Sequence, residues 1–198
     1  MGAEFALLGR LVQLEPLTVE HAESLFDSVT GPDEWSWKPV PRPATVSEMR
    51  QVLVDNLLDS GDGRREPYVV VRRSDRQVIG STTLFDLDRK NRRVEMGWTW
   101  LTRACWGQGF NEDMKCVLLA YCFETLGLAR VAWSADVLNV RSNDALYRLG
   151  FVREGAFRSY NDRIDGSRRD IVWYSLLAEE WPENQQHLQV LIDERSRS

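Results

Sequence analysis

Residues 92–126 constrain the fold most, because they pass from strand-like to helix-like spacing across a short glycine loop. Apolar and aromatic residues alternate with others along the first part, which predicts a β-strand. One face of this strand carries Val94, Met96, Trp98 and Trp100, and the other carries Glu95, Gly97, Thr99 and Leu101. After Gly107-Gln108-Gly109, apolar residues recur at helical spacing, and Gly127 follows as a C-terminal cap. The sequence therefore predicts a strand, a glycine loop and a helix.

This glycine loop is suited to binding an anion. The first N–H groups of a helix are unpaired and lie at the positive end of its dipole. Glycines let a pyrophosphate approach the backbone closely, because no Cβ intervenes. A Gly-x-Gly pair before a helix is weak evidence by itself, since a merely tight loop explains it equally well.

Length and composition favour a single domain spanning 1–198 with a sizeable core. The net charge of −5 disfavours a nucleic-acid partner. No apolar run reaches the length of about 20 residues that spans a membrane, and no signal peptide is recognised, so we expect no membrane partner. Three cysteines without metal-ligand spacing predict neither a disulfide framework nor a metal site, which favours a cytoplasmic protein.

The order of predicted elements is β, α, α, three strands, α, β, α, β, β. Short turns join the three consecutive strands, which predicts an antiparallel meander. The predicted strands cover 6–14, 67–73, 77–85, 92–101, 129–137, 151–160 and 168–177, and the second helix stops near residues 60–63. Residues 183–198 are predicted to be a polar tail that forms a helical turn and then frays. This order predicts an α/β fold, a mixed and mostly antiparallel sheet flanked by about four helices.

Three separated segments resemble a known family. They are GWTWL-x(4)-WGQGF at 97–110, LGLARVAWSADVLNVRSNDALYRLGFVREG at 126–155, and RRDIVWYSLLAEEWPE at 168–183. Together they resemble the GCN5-related N-acetyltransferases (the GNAT superfamily), and within it the ribosomal-protein alanine acetyltransferase, or RimJ/RimL-like, group. The resemblance spans most of the chain and agrees with the order of elements derived above.

The resemblance implies that the chain binds acetyl-CoA, the acyl donor, in a gap between two strands that splay apart. The backbone of Trp100, Leu101 and Thr102 would pair with the pantetheine amides, as in strand addition. The loop would hold the pyrophosphate through Trp106, Gly107, Gln108, Gly109, Phe110 and Asn111. Asn139 and Ser142 would contact the pantetheine or orient a water, although Asn139 also suits a helix N-cap.

The chain departs from the family pattern at the loop. Ala104 and Arg103 stand where relatives often have a Gln or Arg and a proline. Asn111-Glu112-Asp113 replaces small residues followed by one acid. Two acids suit the helix dipole but not a neighbouring phosphate, so we expect their side chains to point away from the cofactor.

Amine acetylation needs a base for the ammonium, stabilisation of the thioester oxygen and a proton for the departing thiolate. The resemblance assigns the base to Glu95, acting directly or through water, and the acid to Tyr147. A backbone N–H near Leu101 would serve the oxygen. Glu95 could instead be a surface carboxylate paired with an arginine, and Tyr147 could pack in the core.

Trp35 and Trp37 lie in a proline-rich segment and are predicted to wall the acceptor site, although one or both could fill the core. His21 and His187 lie outside the predicted cofactor stretch. Cys105 adjoins the loop, but amine acetylation needs no acyl-cysteine.

The resemblance implies an N-acetyltransferase that transfers acetyl from acetyl-CoA to a primary amine, a protein N-terminus or a small molecule, within a ternary complex. One alternative is a CoA-binding module without turnover, and another is a transferase for a different acyl-CoA such as succinyl-CoA. A P-loop protein is disfavoured, because no Gly-Lys-Ser/Thr follows the glycines. Members of the family often pair through sheet edges or C-terminal strands, so a homodimer is possible, and the sequence leaves the oligomeric state open.

Overall fold

The computed structural model describes residues 6–58 and 64–195, and its centre is one eight-stranded sheet. Along the sheet the strands follow the order β1-β2-β3-β4-β5-β6-β8-β7, and the pair β5–β6 is parallel while all others are antiparallel. The strands are β1 (Leu7–Leu8), β2 (Val12–Pro16), β3 (Glu66–Arg72), β4 (Val78–Asp88), β5 (Arg93–Leu101), β6 (Arg130–Asp136), β7 (Val152–Asp162) and β8 (Arg168–Leu177). The predicted mixed sheet is confirmed.

Within the described residues, five α-helices cover the two faces of the sheet. They are α1 (Ala22–Ser28), α2 (Val46–Leu58), α3 (Phe110–Ala120), α4 (Val140–Arg148) and α5 (Trp181–Arg195). Helices α1 and α2 pack on one face around Leu25, Met49 and Leu53. Helices α3, α4 and α5 contribute to a larger core on the other face. Two apolar layers therefore hold the sheet between them, as a layered α/β fold requires.

The alternation predicted for β5 is broken by a β-bulge at Trp98. Trp98 has a φ of 53°, and Thr82 of β4 is opposed by both Trp98 and Thr99. One extra residue in a strand moves every later side chain to the opposite face of the sheet. Met96 therefore lies in the α3 core, whereas Trp100 lies in the α1–α2 core. The prediction that these two residues share a face was wrong, because alternation alone carries no sign of the extra residue.

Strands β5 and β6 pair only at their start. Their register joins Arg93, Val94 and Glu95 to Arg130, Val131 and Ala132. Beyond Glu95 the two strands diverge, while β5 continues to pair with β4 and β6 continues to pair with β8. This divergence opens a V-shaped gap in the middle of the sheet, as the family resemblance implied.

The tail prediction was wrong, because Trp181–Arg195 forms a full helix, α5. Leu188 and Ile192 are fully buried and join the core beneath α3. Polar residues dominate this segment, so its weak apolar pattern did not reveal the buried stripe. The predicted end of the second helix at residues 60–63 lies outside the described residues, as do residues 196–198 of the predicted tail. Among the described helices, none is long and apolar enough to cross a membrane.

Candidate active site

A cleft of about 560 Å³ lies where β5 and β6 separate. Its walls come from both strands, the glycine loop, the first turns of α3, helix α4 and the connection between α1 and α2. Strands β4, β7 and β8 also contribute side chains. Of the predicted site residues, Glu95, Trp100, Leu101, Trp106, Gly107, Asn111, Asn139, Ser142 and Trp37 line it. Residues from segments far apart in the sequence thus meet at the opening in the sheet.

Glu95 occupies the last paired position before the strands diverge. Its side chain is 8% exposed, and its carboxylate accepts a hydrogen bond from the Ser134 hydroxyl of β6. Burial raises the pKa of Glu95 to about 7, the hydrogen bond from Ser134 opposes this change, and the charge of Asp86 reinforces it. A carboxylate with a pKa near neutrality can accept a proton at physiological pH and release it afterwards.

The glycine loop has the backbone conformation that an anion site needs. Gly107 and Gly109 have φ values of 74° and 86°, in the left-handed region that favours glycine. Gly109 is the N-cap residue of α3, so the first N–H groups of that helix face the loop. The Arg195 side chain donates to the Gly107 carbonyl over 2.9 Å, which ties α5 to the loop. These features fit the phosphates of CoA.

Leu101 is the strand residue whose backbone faces the gap. The Thr102 N–H donates to the Ile79 carbonyl of β4 over 2.8 Å, and peptide groups alternate in direction along a strand. The Leu101 N–H therefore points away from β4, towards the gap. The Leu101 carbonyl accepts a bond of 2.8 Å from the Trp106 indole. Thr102, in contrast, has no free N–H for pantetheine, and the backbone of Trp100 faces β4, so their predicted pairing roles were wrong.

The two acids of the loop helix have separate partners. The Asp113 carboxylate accepts backbone N–H bonds from Arg10, Leu11 and Val12 at 3.1, 2.7 and 2.9 Å. It therefore points to the β1–β2 turn, as expected. Glu112 instead borders the cleft, contrary to expectation. It forms salt bridges of 3.3 and 3.2 Å with Arg148 and Arg195. Two guanidinium groups for one carboxylate leave this part of the cleft positive.

Helix α4 presents one face to the cleft. Asn139 is its N-cap, and the Asn139 side chain accepts from the Ser142 N–H over 3.1 Å. Both residues also line the cleft, so capping and ligand contact are compatible. Nearby, the Arg141 guanidinium lies 3.9 Å above the ring of Trp106. This contact fixes the indole that closes the loop side of the cleft.

The expected role of Tyr147 was wrong. Its side chain is 78% exposed and lies outside the cleft lining. Ala145, Leu146 and Leu149 form the cleft-facing side of α4 together with Ser142. Because consecutive residues are about 100° apart around a helix, Tyr147 points away from that side. Tyr147 thus lies one residue away from a cleft-facing position of α4, and this difference removes it from the site.

The two predicted acceptor-wall tryptophans have different environments. Trp35 is 6% exposed, packs edge-on against Trp100 at 5.8 Å between ring centroids, and donates to the Val40 carbonyl. It is a core residue of the α1–α2 layer, so its predicted role in the acceptor wall was wrong. Trp37 is 38% exposed and lines the cleft, which fits the acceptor wall.

Sequence reasoning missed two lysines that line the cleft, Lys38 and Lys115. Burial lowers the pKa of Lys115 to about 7, and burial followed by the charge of Lys115 lowers that of Lys38 to about 7. Lys115 interrupts an apolar helical run between Met114 and Cys116, and a charged residue at such a position was the feature of the sequence that indicated a buried lysine. No pattern in the sequence indicated that Lys38 would line the cleft, because its position depends on the path of an irregular loop.

Comparison with known proteins shows the family of the chain. The family model of the acetyltransferase (GNAT) domain matches residues 11–152, which run from the start of β2 to the end of α4 and include Glu95 and the glycine loop. The chain belongs to the GNAT acetyltransferases. It is therefore an acyl-CoA-dependent N-acyltransferase that uses acetyl-CoA as acyl donor and an amine as acceptor.

Individual relatives support the same assignment. YdaF of Bacillus subtilis, a candidate ribosomal N-acetyltransferase, is 37% identical over 107 residues, which cover 54% of this chain and 57% of that protein. YoaA of the same organism, an uncharacterized N-acetyltransferase, is 31% identical over 83% of this chain and 92% of its own. The crystal structure of a GCN5-related N-acetyltransferase from Brucella melitensis superposes with a TM-score of 0.86 at 28% identity, over 94% of this chain and 84% of that chain. The predicted family and RimJ/RimL-like likeness are confirmed.

Proposed function

We propose that this GNAT enzyme acetylates a primary amine, of a protein N-terminus or a small molecule, in a ternary complex with Glu95 as general base. The observation that carries the proposal is the position of Glu95, buried in the cleft wall where β5 and β6 part. Its pKa of about 7 suits proton transfer at neutral pH.

The chain's own groups supply the steps. Glu95 removes a proton from the acceptor ammonium, directly or through a water, which frees the nitrogen lone pair. The nitrogen forms a bond to the acetyl carbon while the carbon–sulfur bond breaks. The nitrogen loses its second proton to solvent, which gives the neutral amide, and the thiolate takes up a proton from solvent and leaves as the CoA thiol. The Leu101 N–H, which points into the gap, stabilises the oxygen that becomes negative.

Donor binding is divided between two parts of the cleft. The loop around Gly107 and Gly109, with Arg148 and Arg195 beside it, holds the phosphates. The α4 residues Asn139 and Ser142 hold the pantetheine, and the Leu101 N–H holds its thioester end through the carbonyl oxygen. Lys38, Trp37 and Glu95 lie on the acceptor's approach.

Cys105, Cys116 and Cys122 are all free thiols, which supports a reducing, cytoplasmic location.

The test is release of CoA thiol from acetyl-CoA with a panel of amines that includes short peptides, free amino acids, polyamines and amino sugars. We expect turnover with at least one class and a large loss in Glu95→Gln. A protein that binds CoA, releases none with any amine and binds identically after Glu95→Gln contradicts the proposal.

A further inference from the structure

Lys115 places an ammonium group in the gap between the diverging strands. Its side chain is 4% exposed and projects from α3, the helix that follows the glycine loop. The Lys115 Nζ lies 3.4 Å from the Thr99 hydroxyl of β5 and 5.6 Å from the ring centroid of Trp133 on β6. The ammonium therefore lies between the two strands whose separation forms the cleft.

Lys38 approaches the same gap from the other layer. It lies on the connection between α1 and α2, and its Nζ donates to the Trp98 carbonyl at the β-bulge. It also lies over the ring of Trp98, 5.6 Å from the centroid. Lys38 and Lys115 therefore contact consecutive residues of β5, Trp98 and Thr99, and both line the same cleft.

Neither lysine is compensated by a carboxylate of the chain. Within residues 6–58 and 64–195, neither forms a salt bridge, and their polar contacts are the neutral oxygens just named. The carboxylates that line the same cleft have other partners. These pairs are Glu95 with Ser134, Glu112 with Arg148 and Arg195, Asp86 with Arg64, Asp136 with Arg163, and Glu34 with the Thr30 hydroxyl and the Arg103 N–H.

Two ammonium groups without a carboxylate partner in one cleft, with Lys115 buried and Lys38 partly buried, oppose folding. Moving a charge out of water costs several kcal/mol, and an apolar side chain of similar volume would be at least as stable there. A site built this way gains stability when an anion binds to it. The cleft is open to ligands, so the anion can come from a substrate.

We propose that Lys38 and Lys115 bind a carboxylate of the substrate beside the reacting thioester. An acetyl group carries no charge, so the carboxylate belongs either to the acceptor or to a longer acyl chain. In an α-amino acid the carboxylate and the amine are joined through one carbon. A carboxylate held by the lysines would therefore keep the amine close to Glu95. This inference rests on the acetyl transfer proposed above.

Calorimetry tests the inference without requiring turnover. One pair of measurements gives the affinities of free amino acids and of the matching amino-acid amides for the enzyme–CoA complex. Binding of succinyl-CoA and of butyryl-CoA is measured to the free enzyme. The charged member of one pair should bind about 10- to 100-fold more tightly, the range expected for hydrogen bonds to a charged group. Lys115→Met and Lys38→Met should each reduce this preference, and Lys115→Arg should retain part of it.

The outcomes separate the two sources. A preference for the acids over their amides assigns the carboxylate to the acceptor, and a preference for succinyl-CoA over butyryl-CoA assigns it to the donor. Equal affinities within both pairs overturn the proposal, as does an equal loss for charged and neutral members in folded Lys115→Met. Failure of acetyl transfer itself is seen separately, as binding of the acids without release of CoA from any amine.

Discussion

The Ser134 hydroxyl donates a hydrogen bond to the Glu95 carboxylate across the point where β5 and β6 separate. The bond joins the last paired residue of β5 to a residue of β6 beyond the paired segment. It therefore orients the proposed base towards the cleft. It also stabilises the ionised form, and so limits the rise in the pKa of Glu95 that burial causes.

Ser134→Ala should move the pH dependence of turnover towards higher pH. Loss of the donor removes a contact made to the charged carboxylate, so the pKa of Glu95 rises further, by about one pH unit. Turnover should fall several-fold at pH 7 and approach the wild-type value near pH 9. Ser167→Ala is the control, because that hydroxyl bonds Asp165 in the exposed β7–β8 turn. Superimposable profiles of Ser134→Ala and wild type would exclude this coupling.

Tyr147→Phe should leave turnover within about twofold of wild type. The side chain points to solvent from the outer side of α4 and lies outside the cleft lining, so its hydroxyl is not placed to protonate a thiolate bound there. Steady-state kinetics with saturating acetyl-CoA measures this. A large loss of kcat with unchanged CoA affinity would restore the acid role inferred from the motif.

Asp113→Asn should destabilise the fold. Three backbone N–H groups of the β1–β2 turn share this carboxylate, which is 2% exposed. Bonds to a charged acceptor contribute about 1.5–3 kcal/mol, so we expect a loss of about that size in the free energy of unfolding. Asp193→Asn is the matched control, since its ion pair with Arg10 is largely exposed and is expected to contribute at most about 1 kcal/mol. Equal unfolding midpoints for the two variants in urea would contradict this account.

Gly109→Ala should weaken CoA binding as well as stability. A Cβ at Gly109 would lie 3.2 Å from Leu11 Cδ1, and φ at this position is 86°. Left-handed backbone costs a residue with a Cβ about 1–2 kcal/mol. Gly127→Ala provides the control, because φ there is 63° but a Cβ meets nothing within 4 Å. Both variants should lose stability, and only Gly109→Ala should lose CoA affinity by calorimetry. Unchanged affinity would place the phosphates elsewhere.

Much of the fold was predictable because periodicity is local. The β8 bounds, 168–177, and the order of elements follow from alternation and turn residues. Three features were not predictable for a physical reason. The bulge at Trp98 adds one residue to β5, and the residue types of the strand show no sign of it. Helix α5 has only a narrow apolar stripe. Tyr147 differs by one residue from the cleft face of α4, and a one-residue difference rotates a helical side chain by about 100°.

The candidate site was predictable only where a motif fixed it. Glu95 and Gly107 follow from the strand and loop pattern, and both line the cleft. Lys38, Arg195 and Ser134 reach it through the tertiary arrangement of distant segments. Their roles depend on burial and charge in the folded chain, which a single sequence does not display.

The pH dependence of kcat for wild type and Glu95→Gln tests the central claim most directly. A general base must be deprotonated, so with a pKa of about 7 turnover should fall as pH drops below 7 and reach a plateau above about pH 8. Glu95→Gln should lower kcat about 10²- to 10⁴-fold, lose this inflection and keep wild-type affinity for CoA. If the variant turns over at the wild-type rate with the same inflection near pH 7, another group is the base.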